Sequence, residues 1–440
     1  MILLKNFLNI FRVAELRKKI LFTLGVLIVY RLGNHIPVIG IDIAQLHQLM
    51  SQKSGLGGLL SYIDMFSGGS LKQCTLFALG IMPYITASIM MQILSMSVPY
   101  LEALNKEGEY GRKIINQYTR YLALGICLIQ SFSYAMVVER YNLVLDPGWG
   151  FRIMFMMSIT IGSMVVMWLG EQIGMHGIGN GSSMIIFAGI VARFPQDVLA
   201  TVQAVSDKIM DPLVALVIFV IVVAMAACIV FLEKGSRKIP VQYTRRIVGQ
   251  RMYGGQSSYI PFKINTAGVM PVIFSNAVLN VPVFISAALA SRFAFFQWIS
   301  ESLRPTGLIF NMLDFILIVC FTFFYTAMVF NPDELAENIK KSGGFIPGIR
   351  PGKKTAEFFN YLLTRLGLVG ALYLAFLAIA PNIVYAVLPI PFYLSTLSGT
   401  GLLIMVGVAL ETAAQIESYL IEHRYEGFLT SGRMRGRRAA

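Results

Sequence analysis

Charge is scarce in this chain. Only 13% of its 440 residues are Asp, Glu, Lys or Arg, whereas 56% are hydrophobic and the mean hydropathy is +0.67. A soluble domain carries about 25% charged and 45–50% apolar residues. At about 100–200 residues per domain the length could hold two or three soluble domains, but with half the usual charge water could not solvate them as separate globules. The same scarcity excludes disorder, which needs low hydrophobicity. Cysteine and histidine are scarce too, four of each. Cys74, Cys127, Cys228 and Cys320 all lie in or beside apolar runs, with no spacing that suggests a disulfide framework or a metal site.

Familiar catalytic signatures are also lacking. There is no phosphate loop ending in Lys-Ser/Thr, no HExxH and no nucleophile elbow. Gly177, Gly179 and Gly181 resemble a nucleotide fingerprint only superficially, because no strand precedes them. They read as a tight turn, with Asn180, Ser182 or Ser183 capping the helix that follows. No enzyme activity and no cofactor are expected, so anything moved uphill must draw its energy from a partner.

What the sequence has in abundance is long apolar runs. A bilayer core of about 30 Å needs about 20 apolar residues per helix. Ten such runs lie near 20–38, 74–98, 118–138, 153–171, 183–201, 213–232, 267–290, 310–330, 366–388 and 399–420. Without a competing period-2 alternation they predict an all-α polytopic membrane protein rather than a barrel. Of the 36 Lys/Arg, 27 fall on one side of a ten-span arrangement, as do 14 of the 23 Asp/Glu, so that side carries the whole net charge of +13. The positive-inside rule makes it cytoplasmic, with both termini inside. Residues 1–19 read as an interfacial helix, apolar from Leu3 to Phe11 and basic around it, not as a cleaved signal. Residues 421–440 read as a basic tail.

Four ionisable residues stand out within the runs: Arg31, Glu171, Asp314 and Glu411. All lie near run ends, where snorkelling to the interface is the simplest expectation. Two long connections, 233–265 and 331–365, are strongly basic. Bundle connections usually have 2–8 residues, so these are expected to dock something anionic, since Arg pairs bidentately with phosphate or carboxylate. Composition does not choose between RNA, anionic lipid and an acidic protein. A secondary solute transporter stays open as an alternative at this point, although no midplane chain of Asp, Glu or His suggests proton coupling.

Ordered motifs narrow the choice. They include Lys106-Glu107-Gly108-Glu109, Gln117-Tyr118-Thr119-Arg120-Tyr121, Trp168-Leu169-Gly170-Glu171-Gln172, Gly177-Ile178-Gly179-Asn180-Gly181, Pro240-Val241-Gln242-Tyr243, the run from Lys340 through Gly343-Gly344-Phe345-Ile346-Pro347-Gly348-Ile349-Arg350-Pro351-Gly352, and Arg424-Tyr425-Glu426-Gly427. Together they closely resemble the bacterial SecY family, the channel-forming subunits of the Sec protein translocase (SecYEG), from about Leu16 to Leu429.

The resemblance implies a protein-conducting channel that passes unfolded secretory chains across the membrane and releases transmembrane segments sideways. It implies two pseudo-symmetric five-helix halves, 20–201 and 213–420, related as an inverted repeat around an hourglass pore. The pore ring would be Ile81, Ile85, Ser182, Ile186, Ile273 and Ile404. A narrow apolar ring dewets and blocks ions while yielding to a passing chain. Ser182 departs from the usual aliphatic residue, leaving either a five-membered ring or a capping role. A plug over 61–72 would comprise Ser61, Tyr62, Ile63, Asp64, Met65, Phe66, Ser67, Gly68, Gly69 and Ser70, and a lateral gate would use Gln92, Gln130 and Asn276. Arg245, Arg246, Arg251, Lys340, Lys341 and Arg350 would dock the ribosome, through its RNA and proteins, or the SecA ATPase. Further implied partners are SecE, SecG, YidC, SecDF, signal sequences, nascent chains and anionic lipids.

Overall fold

The structure is a computed structural model that describes residues 13–41, 64, 67–141, 143–144, 146–208, 210–243, 246–248, 251–253, 257–289, 294–303, 307–387 and 399–431. The expected helix at residues 3–11 lies outside this set, as does the end of the basic tail from 432 on.

Each of the ten apolar runs falls on a helix: α1 (Ala14–Gly33), α2 (Met82–Ser97), α4 (Glu109–Arg140), α5 (Trp149–His176), α6 (Gly181–Ser206), α7 (Pro212–Lys234), α8 (Met270–Leu289), α10 (Leu308–Val329), α12 (Lys353–Val387) and α13 (Gly399–Ser431). Three shorter helices, α3 (Pro99–Lys106), α9 (Ala294–Ser302) and α11 (Pro332–Lys341), join them. Among the described residues, seven helices are long and apolar enough to cross a membrane, or eight if α2 and α3 count as one span. They do not form a straight span, because α3 turns away from α2 by 98°. Five charged residues keep α1 out of that count, and the apolar part of α8 is short. Helix α13 continues to Ser431, well into the stretch expected to be a tail.

The second run departs most from expectation. Its helix starts at Met82 rather than at 74, and residues 68–80 form successive turns. Apolarity alone cannot distinguish a buried turn from a helix. Here Gly80 and Cys74 take positive φ, 57° and 44°, which a continuing helix cannot accommodate. Non-helical backbone survives at membrane depth only when protein satisfies its polar groups. The N–H of Val38 donates to the Cys74 carbonyl at 2.9 Å and that of Leu76 to the Ile36 carbonyl at 2.9 Å. On the other side Gly162 of α5 lies against the Leu76 carbonyl, a contact that no larger residue would permit.

The two basic connections are built structure rather than loops. Strands β1 (Ser236–Tyr243) and β4 (Ser257–Lys263) pair antiparallel from Ser236↔Lys263 to Gln242↔Ser257, and β5 (Gly344–Phe345) adds to the far end of β1 at Gln242 and Tyr243. Strands β2 (Arg246–Val248) and β3 (Arg251–Tyr253) pair between β1 and β4. Pro240 is tolerated in β1 because β5 does not reach it, so its missing N–H breaks no ladder. Ile239 and Val241 alternate inward. They meet Phe262, Ala336, Ile339, Ile346, Ala356, Phe359, Leu362 and Leu363 in one core.

Helix α12 links this polar module to the membrane body. Its 35 residues span about 52 Å at 1.5 Å per residue, far beyond a bilayer core. Its first turns pack in the module, and Leu374, Ala375, Leu377 and Ala378 pack with α7, α8, α10 and α13. Phe359 is wholly buried and stacks obliquely on Phe262 at 5.4 Å. Phe359→Ala is expected to cost the module about 3–5 kcal/mol. Hydrogen exchange should show protection lost in β1 and β4 but retained in α4–α7; unchanged protection in β1 would refute the shared core.

Candidate functional site

The largest core draws mainly on α1, α2, α4, α5 and α6 and also on α8, α10 and α13. At its centre lie five of the six isoleucine and serine positions singled out above. Ile81, Ile85, Ile186, Ile273 and Ile404 belong to one buried cluster, with exposures of 1%, 5%, 0%, 2% and 0%. Each comes from the start of its helix. Ile81 is the residue before α2, with Ile85 one turn on and bonded to it (Ile85 N–H to Ile81 carbonyl, 3.1 Å). Ile186, Ile273 and Ile404 occupy the first two turns of α6, α8 and α13. Gly170 of α5 makes room for Ile81, whose Cδ1 lies 3.0 Å from where a Cβ would stand.

Ser182 is half-buried, one turn before Ile186. Its hydroxyl donates to Asn180 Oδ1 at 2.8 Å, and the same oxygen accepts its N–H at 3.2 Å. Asn180 is therefore the residue that caps α6. The glycine-rich turn is stitched across the molecule: Ile178 N–H donates to Thr23 Oγ1 at 3.1 Å and Gly179 N–H to Gln415 Oε1 at 2.9 Å.

Of the segment 61–72, residues 61–63, 65 and 66 lie outside the described set. The rest is held on all sides. Tyr30 and Arg31 of α1 donate to the carbonyls of Ser67 (3.3 Å) and Gly68 (3.0 Å). Tyr134 of α4 donates to the Leu71 carbonyl at 2.9 Å and lies 2.7 Å from Cys74 Sγ. Asp64, fully buried, accepts from the N–H groups of Leu71 (2.9 Å) and Lys72 (3.1 Å) and pairs with Arg193 of α6 at 3.0 Å.

Three of the four ionisable residues have partners inside the protein instead of snorkelling. Arg31 reaches the Gly68 carbonyl. Glu171 takes a bidentate bond from Arg120 of α4 at 2.9 and 2.7 Å, and the buried Asp314 accepts from Ser275 of α8 at 2.5 Å. Glu411 is exposed. Reading the runs for ionisable residues also missed Arg193 and Asp197, which lie within the run 183–201 and are buried.

Helices α2 and α4 pack against α8. Gln130 and Asn276 are buried here; the Asn276 amide donates to Val272 of its own helix at 2.8 Å, and that of Gln92 to Ser88 at 3.5 Å. Sequence reasoning did not single out Thr86, whose hydroxyl bonds the Met82 carbonyl at 3.0 Å and reaches across the seam to the Ala277 carbonyl at 3.5 Å. Of the basic residues, Arg245 lies outside the described set, while Arg246 and Arg251 sit on β2 and β3. Lys340 and Lys341 end α11, and Lys341 pairs with Glu337 at 3.1 Å. Arg350 is exposed between two positive-φ glycines, Gly348 and Gly352. Among the described residues no three His, Cys, Asp or Glu side chains come together to hold a metal.

A bundle of long apolar helices with five isoleucines buried in its largest core, beside a pinned segment of successive turns, defines a polytopic helical membrane protein. Comparison with known proteins agrees. The SecY family model matches residues 75–413. A relative from Escherichia coli (strain K12), described as protein translocase subunit SecY, is 42% identical over 430 residues, covering 96% of this chain and 96% of its own. Two solved structures share the fold at 17% identity: a protein conducting channel (TM-score 0.67, 91% of this chain and 92% of that one) and Sec61 in the canine ribosome-channel complex from the endoplasmic reticulum (TM-score 0.62, with the same coverages). The chain belongs to the SecY family. Its ten helices and inverted repeat of two halves fit these neighbours.

Gly68 has φ +69°, and a Cβ there would lie 2.7 Å from the Gly189 Cα of α6. Gly68→Val is therefore expected to lift the segment from its seat and expose Cys74, which is now fully buried. With the other three cysteines replaced, maleimide labelling of Cys74 should be at least about tenfold faster than in the Gly68 parent, a change of about 1.4 kcal/mol in opening. An unchanged rate would contradict the packing described.

Proposed function

We infer that this chain is the channel-forming subunit of a protein translocase: a passive conduit for unfolded polypeptides whose driving force comes from partners. One observation carries the reading. Five isoleucines from four helices are buried together in one apolar cluster, as a seal that excludes water and ions requires. Methyl-bearing walls can part around a chain of any sequence, and among the described residues no group of three His, Cys, Asp or Glu could hold a metal ion. The family is one of translocation channels, not enzymes, and the solute-transporter alternative finds no support among its relatives.

In this reading Ile81, Ile85, Ile186, Ile273 and Ile404 form the pore ring of an hourglass channel. Ser182 borders the ring and supports the Asn180 cap. Residues 61–72 are the plug, and the halves 20–201 and 213–420 move apart to open the pore. The seam between α2/α4 and α8, with Thr86, Gln92, Gln130 and Asn276, is the lateral exit for signal sequences and membrane segments. Interhelical polar contacts in membranes contribute about 0.6 kcal/mol each, weak enough for an apolar segment to displace.

The polar module carries the docking role. Its charge and its rigid β1–β4 frame suit the ribosome or SecA, with Arg350, Arg246, Arg251, Arg245, Lys340 and Lys341 as contacts; a structural neighbour is Sec61 in a ribosome-channel complex. SecE and SecG are the proposed small subunits, and YidC, SecDF and anionic lipids further partners. The Lys/Arg distribution sets the module and both termini on the cytoplasmic side of the cytoplasmic membrane.

Photoreactive probes at Ile85, Ile186, Ile273 and Ile404 should all crosslink to a stalled secretory chain, whereas a probe at exposed Phe219 of α7 should not. Crosslinks confined to Phe219 would overturn the assignment.

A further inference from the structure

Four charges are gathered where the non-helical segment meets α6. Asp64 has no exposed side-chain surface, and the Arg193 side chain is 7% exposed. Lys72 Nζ stands 4.0 Å from the same Asp64 oxygen that meets Arg193 at 3.0 Å. Asp197, also buried, lies one turn beyond Arg193, within electrostatic reach of Arg193 and Lys72. Two carboxylates, a guanidinium and an ammonium thus form a cluster of zero formal charge.

The face of α6 is organised to receive the segment. Gly189, Arg193 and Asp197 recur every four residues, so they line one face of the helix. Gly189 lets the Gly68 backbone approach closely, and the Arg193 stem passes 3.9 Å from where a Cβ on Gly69 would stand. Arg193 then reaches Asp64, 129 residues away in sequence, across the gap that the two glycines leave open.

Burying an ion pair is a poor way to gain stability, because desolvation offsets the attraction; removing one partner is far worse, because it strands a charge. Such a cluster is better suited to fixing one conformation than to strengthening the fold. If the segment left α6, Asp64 would lose Arg193 and keep only Lys72 of its own segment, while Arg193 would keep only the neighbouring Asp197.

We propose that Arg193, Asp64, Lys72 and Asp197 form an electrostatic latch that holds the segment on α6 and sets how strongly a substrate must bind to open the channel. Arg193 is the positioning residue of this latch. The proposal rests on the reading of residues 61–72 as the plug. Opening is a two-state equilibrium, and a substrate shifts it only by its differential affinity for the open state. Weakening the latch therefore lets a weaker signal sequence suffice.

The test uses the reconstituted translocase complex in phosphatidylethanolamine/phosphatidylglycerol vesicles, reading iodide entry by quenching of an entrapped dye, with export of a precursor bearing a shortened apolar signal as second readout. R193Q removes the cation nearest Asp64, leaving only Lys72 at 4.0 Å, and is expected to raise iodide leak and export of the weakened precursor at least tenfold. D64N, which leaves Arg193 within electrostatic reach of Asp197, should raise both less. The D64N/R193Q double variant removes the buried carboxylate together with its nearest cation and should leak no more than a third as much as R193Q. Because this rescue is opposite to what a merely damaged fold would give, the double variant separates a latch from a structural lesion. Wild-type leak in R193Q, or a double variant at least as leaky as R193Q, would overturn the latch. The plug reading is judged apart from it by Gly68→Val, which unseats the segment without touching the charges. If that variant leaks while R193Q does not, only the latch fails; if neither leaks, the plug reading fails with it.

Discussion

Residues 68–81 run through the interior of a helical membrane protein without forming a helix, and much of the surrounding structure is arranged to make that possible. A bilayer offers no water to satisfy exposed peptide groups. Each carbonyl or N–H that a helix would have paired must find another partner, and this requirement recruits side chains from three helices: Tyr30 and Arg31 of α1, Tyr134 of α4 and, through Asp64, Arg193 of α6. The glycines at 68, 162 and 189 follow from the same demand, since the backbones must approach closely for those bonds to be made.

That pinned segment leads directly into Ile81, and so into the cluster formed with Ile85, Ile186, Ile273 and Ile404. The two parts use opposite physics. The isoleucines hold by apolar contact alone, which is non-directional and so tolerant of being parted and remade. The segment holds by directional bonds and charges, which specify one seat. A conduit needs both properties: a wall indifferent to sequence, and a resting state that is unique. The long α12 adds mechanical continuity, carrying the polar module's core on one end and the membrane core on the other.

The helical architecture was legible because hydropathy over twenty residues integrates many weak signals. The five isoleucines could be named only through family resemblance, since an isoleucine at helical spacing is ordinarily core. Two features escaped for different physical reasons. Residues 74–80 are as apolar as a span, and what stops the helix is the conformation at Cys74 and Gly80, to which hydropathy is blind. Arg193 sits within an otherwise apolar run, and its partner is far away in sequence, so no local pattern marks the pair. In the basic connections the alternation of Ile239 and Val241 is only two residues long and β5 only two residues in all. Charge there raised the expectation of a docking surface and gave no sign of the sheet beneath it.

The central claim is that a dry isoleucine constriction seals the resting channel. The most direct test is electrical: conductance of the purified translocase complex in planar bilayers without substrate, comparing the wild type with a monodisperse variant in which Ile85, Ile186, Ile273 and Ile404 are all replaced by serine. The account predicts a silent wild type and a variant that conducts, because a polar ring wets where an apolar one does not. A variant as silent as the wild type would contradict it.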